Sequence, residues 1–208
     1  MIYIIFHGSF GSPDGNWFPE LREQLEALGQ KVIAPQFPCD DYEKMTNTGK
    51  SYIPKKQNLD NWLKFFKENY LKSIKGEKPC FIGHSIGPLF ILHLVEKFNI
   101  TLDSAIFVSP FFDLPDAEWQ YKSVLSSFIN PHFNFPKLKK LILVSYVIYS
   151  DSDPYVSNDK ALNFAAKLDS STIMVRKGGH LNSEVNLMKF PLIFELCKTR
   201  LDYPQHAQ

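Results

Sequence analysis

Cysteine is scarce in this chain. There are three, Cys39, Cys80 and Cys197, an odd number spread widely over 208 residues. A set like that is no disulfide framework, and a reducing, cytoplasmic setting is the expectation it supports. No C-x-x-C pair and no His cluster occurs, so neither a metal site nor a cofactor is expected. Cys80 reads as a small buried apolar residue. Excess charge of either sign is missing too. The 23 Lys and Arg stand against 22 Asp and Glu, a net charge of +1, with no basic block. That removes the electrostatic ground for holding nucleic acid or an anionic membrane surface, and neither is an expected partner. No apolar run approaches transmembrane length. The apolar opening from Ile2 to Phe6 is one strand long and has no basic lead, so it reads as a strand rather than a secretory signal. Without repeats or linkers, residues 1–208 are expected to form one domain of ordinary size.

What the chain does carry is Gly83-His84-Ser85-Ile86-Gly87, a G-x-S-x-G pentapeptide. Pro79 to Ile82 before it suits a buried strand, and Pro88 to Val95 after it suits a buried helix. A strand, a sharp turn and a helix with Ser at the tip make a nucleophile elbow. Side chains at the two Gly positions would crowd the strand and helix that meet there. The free amides of the helix start then point at charge developing on a bound carbonyl.

An acid and a His should follow in that order, and they do. The β-rich run Tyr146 to Tyr149 ends in Ser150-Asp151-Ser152-Asp153-Pro154. The next strand-like run, Thr172 to Val175, leads to Gly178-Gly179-His180. Carboxylate and imidazole at strand C-terminal ends lie on the elbow's edge of a parallel sheet. Asp151 and Asp153 compete for the acid, and Asp153 is preferred because Pro154 fixes its turn. Asp151 is read as a strand-end or turn-capping residue. Ser85 is then the nucleophile, His180 the base, and Asp153 the group that holds the imidazole tautomer. His7 is expected to fix the neighbouring loop by hydrogen bonding. His84 is expected to point away from the chemistry. His93 and His132 have no chemical companions, nor does His206 in a polar tail expected to be disordered.

The first strand runs into His7-Gly8-Ser9-Phe10-Gly11-Ser12-Pro13, where this fold takes a second oxyanion donor. The amides of Ser9 or Phe10, with that of Ile86, are the expected oxyanion hole. A phosphate cradle fails on spacing: there is no G-x-G-x-x-G, and no Gly-Lys-Ser/Thr closes this loop.

Strand and helix patterns alternate along the whole chain, with strands near residues 2–6, 31–34, 79–84, 104–108, 146–150 and 172–175. That alternation predicts a three-layer α/β/α sandwich with about six mostly parallel strands, in the order 2-1-3-4-5-6 for a sheet that carries such a Ser elbow. Asp40 to Lys56 reads as a polar loop, and a last helix is expected over Glu184–Leu201. Phe111 to Pro136 leaves the catalytic edge and is rich in aromatics, so residues 111–137 are the expected cap or lid. Phe111, Phe112, Trp119 and, from the first loop, Trp17 are candidate substrate-binding residues. Packing of these aromatics into the core is the competing reading.

The motifs His7 to Pro13, Asn16-Trp17-Phe18-Pro19, Leu25 to Gly29, Gly83 to Gly87, Asp153-Pro154 and Gly179-His180 together resemble the small serine hydrolases of the YdeN and retinoblastoma-binding protein 9 type. The resemblance covers nearly the whole chain. It implies a compact α/β-hydrolase with Ser85, Asp153 and His180 as its triad and esterase-like activity. Glu20 stands where many relatives carry an aromatic residue. No L-x-C-x-E segment is present, so a retinoblastoma-type partner is not carried over. The expected activity is cleavage of a small carboxylic ester through an acyl-enzyme, in a monomer or small homo-oligomer. Thioesterase, acyltransferase or peptidase chemistry on the same triad is the alternative within enzymes. A binding protein that keeps the fold is the alternative outside them.

Overall fold

The computed structural model describes residues 1–114 and 116–202. β1 (Ile2–Phe6) and α1 (Phe18–Ala27) open the chain, followed by β2 (Lys31–Ile33), α2 (Tyr42–Thr48), α3 (Leu59–Asn69) and β3 (Cys80–His84). Then come α4 (Gly87–Phe98), β4 (Leu102–Val108), α5 (Trp119–Leu125) and α6 (Phe135–Leu141). β5 (Ile142–Ser150), α7 (Asn158–Leu168), β6 (Ser171–Val175) and α8 (Pro191–Asp202) complete it. The six strands form one sheet in the order β2-β1-β3-β4-β5-β6, with every adjacent pair parallel. This is the expected order, and its reversal between β1 and β3 opens a crevice at their C-terminal ends.

The layers follow from which faces are apolar. Each residue of β3 and β4 is buried, as a strand covered on both sides requires. On one face, α3 contributes Trp62, Leu63 and Phe66, while α4 contributes Leu89 to Leu92 and α7 contributes Ala161 and Phe164. On the other, Phe18, Leu21 and Leu25 of α1 meet Ile193 and Cys197 of α8. Arg200 clamps α8 to the start of β4, its Nε and Nη2 donating to Asp103 at 3.0 and 2.9 Å. A paired fork of this kind holds one geometry.

Two expectations need correction. The stretch read as a polar loop from Asp40 to Lys56 contains α2, which Asp41 caps by accepting from the Lys44 amide at 2.9 Å. Only Met45 of that helix is buried, so the apolar periodicity that reveals a helix is missing. The last helix begins at Pro191 rather than Glu184. Residues 183–185 make a single 3-10 turn, ended by Asn186 at φ 60°.

Candidate active site

The elbow has the backbone its sequence demands. Ser85 sits at φ 61°, in the left-handed region that costs a non-glycine residue energy. A Cβ on Gly83 would come within 2.8 Å of Gly87 C and Pro88 N, and one on Gly87 within 2.8 Å of Phe6 O. Only Gly lets β3, β1 and α4 converge there. The Ser85 amide donates to Val108 O at 2.9 Å, which pins the turn to β4.

Asp153 and His180 meet beyond the ends of β5 and β6. His180 Nδ1 lies 2.8 Å from Asp153 Oδ2 and 3.1 Å from Oδ1, so the imidazole donates from Nδ1 and presents Nε2 outward. Their side chains are 8% and 2% exposed. Burial pushes the Asp153 carboxyl up. The hydrogen bond and charge of His180, with the Val156 and Tyr155 amides, outweigh this and hold it below the usual carboxylate range. Those amides donate to Asp153 Oδ1 at 3.0 and 2.9 Å. Asp151 is exposed and accepts from the Lys177 amide, at 2.6 Å.

Three consecutive side chains at the end of β5, Ser150 to Ser152, hold the loop that carries His180. Lys177 N donates to Asp151 Oδ1, Gly178 N to Ser150 Oγ at 2.9 Å, and Gly179 N to Ser152 Oγ at 3.1 Å. On the far side, the carbonyl of His180 accepts from His84 Nε2 at 2.8 Å and from Ser109 Oγ at 3.5 Å. Leu181, at φ 53°, offers its carbonyl to Trp17 Nε1 at 3.0 Å. His84 therefore does not point away from the site. It lies beneath His180, with ring centroids 4.8 Å apart. Burial, and next the His180 charge, push its pKa down to about 3, so it stays neutral.

His7 ties down the first loop. Its Nδ1 donates to Gly8 O at 2.8 Å, and its Nε2 accepts from the Phe37 amide at 3.1 Å. Burial lowers its pKa to about 4. The Phe10 amide, named above as an oxyanion donor, instead donates to Gln57 Oε1 at 3.0 Å. Asp40 sets Gln57 in place by accepting from the amides of Lys55, Lys56 and Gln57. Among the described residues, the amides of Ser9 and Ile86 have no hydrogen-bond partner.

Ser85 and His180 share a cavity of about 440 Å³, which Gly8, Ser9 and Asn16 line from the first loop. Phe111 lines it, and the expected cap segment adds Leu114, Glu118, Tyr121 and Leu125. The other three aromatic candidates do not. Trp17 is fully buried beneath the loop, edge-on to Phe18 at 4.6 Å, and its indole N–H holds Leu181. Phe112 turns the opposite way from Phe111 and stacks on Phe164 at 4.6 Å. Trp119 is one residue past Glu118. The helix face lining the cavity runs Glu118, Tyr121, Leu125, and Trp119 is rotated off that stripe. The residues missed by the sequence reading are Tyr155, whose ring stands edge-on to His180 at 5.0 Å, and Glu184, Glu118 and Asn182. Position was the available signal: Tyr155 follows Asp153-Pro154, and Glu184 is four residues past His180.

Among the described residues, no group of three or more His, Cys, Asp or Glu side chains could hold a metal ion. No helix among them is long and apolar enough to cross a membrane. The expectation for His206 lies outside the described residues.

A six-stranded parallel sheet of this order, with a Ser elbow at its switch point, is an α/β-hydrolase fold. The chain belongs to the serine hydrolase family, whose sequence model matches residues 3–199. It is 25% identical to the Bacillus subtilis protein YdeN over 198 residues, 94% of this chain and 93% of that one. The crystal structure of the B. subtilis ydeN gene product superposes with a TM-score of 0.79 at 23% identity, covering 97% of this chain and 98% of the other. Est1E from Butyrivibrio proteoclasticus, in a structure with ferulic acid bound, shares the fold at a TM-score of 0.66 and 15% identity, covering 96% of this chain and 87% of its own.

Proposed function

We propose that this hydrolase cleaves small carboxylic esters through an acyl-enzyme on Ser85. His180 takes the Ser85 proton and later gives it to the leaving alcohol, and Asp153 holds the tautomer and stabilises the imidazolium. The carbonyl oxygen, charged in the tetrahedral intermediate, accepts from the amides of Ser9 and Ile86. Removing one such donor typically costs about 10²–10³ in rate. Water then attacks the acyl-enzyme, with His180 as base. Residues 111–137 act as the cap over this single domain, and a reducing cytoplasm suits its free cysteines.

The observation that carries the reading is the 2.8 Å contact between His180 Nδ1 and a 2% exposed Asp153 side chain, on a loop that shares its cavity with Ser85. A buried carboxylate needs partners, and here they include the imidazole, whose tautomer the carboxylate fixes as a catalytic base requires. No hydrogen bond yet joins Ser85 Oγ to His180 among the described residues, and such contacts tighten when substrate binds. The test is fluorophosphonate labelling of the purified protein, read by intact mass, with Ser85→Ala as control and short-chain esters as substrates. Stoichiometric labelling lost in Ser85→Ala supports the reading. A folded protein that neither labels nor consumes esters overturns it, and a binding role for the cleft takes its place.

A further inference from the structure

We propose that Phe10 is a positioning residue for the ester reaction: its ring, held by Tyr42 and Tyr121, aims the Ser9 amide and so ties the oxyanion hole to the cap. The proposal rests on the hydrolase reading and adds a residue to that same site.

The turn that presents Ser9 is closed by the Gly11 amide, which donates to Gly8 O at 3.2 Å. Phe10 is the third residue of this turn and stands at φ 53°. A positive φ at that place favours Gly or Asn, and a bulky residue persists there only where its surroundings hold it. Gly8, Ser9 and Gly11 line the cavity, and Phe10 does not. Its influence on the chemistry therefore runs through the turn rather than through contact with substrate.

Two holds keep Phe10 in place. The first is on its backbone: the amide donates to Oε1 of Gln57, a buried side chain whose own amide is bonded to Asp40. The second is on its ring, which stands edge-on to Tyr42 at 5.2 Å and to Tyr121 at 5.4 Å, with those two rings 5.9 Å apart. Edge-to-face pairs at such distances favour one mutual orientation. Tyr121 belongs to α5 and Tyr42 to α2, and two further bonds join these segments. Gln120 Nε2 donates to Thr46 Oγ1 at 3.2 Å, and Tyr42 Oη donates to Glu118 Oε2 at 3.3 Å. Thus α2 and α5 form one part of the cap, and the Phe10 ring fastens that part to the first loop.

The Ser9 amide is the next peptide along. Among the described residues it has no hydrogen-bond partner, so the turn sets its direction. A donor to the oxyanion acts on charge that develops only in the transition state. Misaiming it therefore lowers kcat and leaves KM in place.

Tyr42 gives the cleanest test, since it is exposed and lies off the cavity lining. Tyr42→Leu removes one ring from Phe10 and should lower kcat for a short-chain ester about tenfold, with KM changed less than about twofold. Tyr42→Phe keeps the ring, loses only the bond to Glu118, and should retain the parent kcat. Phe10→Leu should lose at least as much as Tyr42→Leu, and the double variant no more than Phe10→Leu alone. A short alkyl boronic acid, tetrahedral and anionic on Ser85, should lose affinity in parallel with kcat. A parent-like kcat in Tyr42→Leu, losses that add, or an equal loss in Tyr42→Phe overturns the proposal. Should the parent neither consume esters nor take the fluorophosphonate, the hydrolase reading fails, and the coupling is read by itself from amide hydrogen exchange. Faster exchange at Phe10 in Tyr42→Leu but not in Tyr42→Phe supports the coupling, and equal exchange in all three proteins removes it.

Discussion

Asp153 Oδ2 lies 2.8 Å from His180 Nδ1, joining residues 27 apart across the ends of β5 and β6. Asp151, two residues earlier, instead accepts from the Lys177 amide and has no contact with the imidazole. The two carboxylates therefore make opposite predictions. Asp153→Asn keeps the shape but favours the wrong tautomer, so turnover of an ester should fall by about 10⁴ with the fold unchanged by circular dichroism. Asp151→Asn should cost far less, through a weaker loop cap. Loss of turnover in Asp151→Asn alone would move the acid from one residue to the other.

The elbow glycines predict a steric effect. An Ala at position 87 would bring its Cβ within 2.8 Å of the Phe6 carbonyl, a backbone atom of a central strand that cannot swing aside. Overpacking at such a place costs about 1–3 kcal/mol. Gly87→Ala should lower the denaturant midpoint accordingly and slow fluorophosphonate labelling, since the strain falls on the turn that aims Ser85. A midpoint equal to the parent's would show that β1 and α4 can move apart.

Trp17 was a candidate for the pocket wall, and the structure gives it other work. Its Nε1 donates at 3.0 Å to the carbonyl of Leu181, a residue held at φ 53° directly after His180. Trp17→Phe keeps most of the packing against Phe18 and Phe190 but leaves that carbonyl without its donor. The stability cost should be about 1–3 kcal/mol. As a positioning residue, Trp17 should also affect kcat while leaving KM in place. Parent-like kcat in a folded Trp17→Phe protein would reduce its role to packing.

What was legible follows from which parts of the site are local. Ile2 to Phe6 and Cys80 to His84 are short apolar runs ending in Gly-rich turns, so strand, elbow and sheet order could be read directly. The cavity wall could not. Whether Phe111 or Phe112 faces it depends on a turn, and Trp119 loses to Tyr121 by one step of helix rotation. The hydrogen bonds from residues 177–179 to Ser150, Asp151 and Ser152 pair two loops far apart in sequence, and no spacing rule announces them. Gln57 took the Phe10 amide because Asp40 folds a polar segment back onto the first loop, a contact made by side chains with no periodicity.

The buried histidines predict how the protein fails in acid. Burial, the leading cause in each, lowers His7 from its ordinary 6.5 to about 4 and His84 to about 3. Below pH 6.5 the unfolded chain takes up both protons while the native chain refuses them, so the unfolded state binds more protons and stability falls as pH drops. Each histidine contributes a slope of up to about 1.4 kcal/mol per pH unit. His7 stops contributing near pH 4 and His84 near pH 3. The Asp153 carboxyl, held low by its partners, acts in the same direction only at more acid pH, where it becomes protonated in the unfolded chain first. Urea midpoints measured between about pH 7 and pH 4.5 should therefore decline steadily. His7→Gln, which can still accept from the Phe37 amide, should remove its own share of the slope and leave those of His84 and of His93, which burial also lowers. A slope unchanged in that variant would mean that His7 takes up its proton without unfolding. The loop it ties between Gly8 and Phe37 would then have to open in acid, carrying the Ser9 amide away from Ser85.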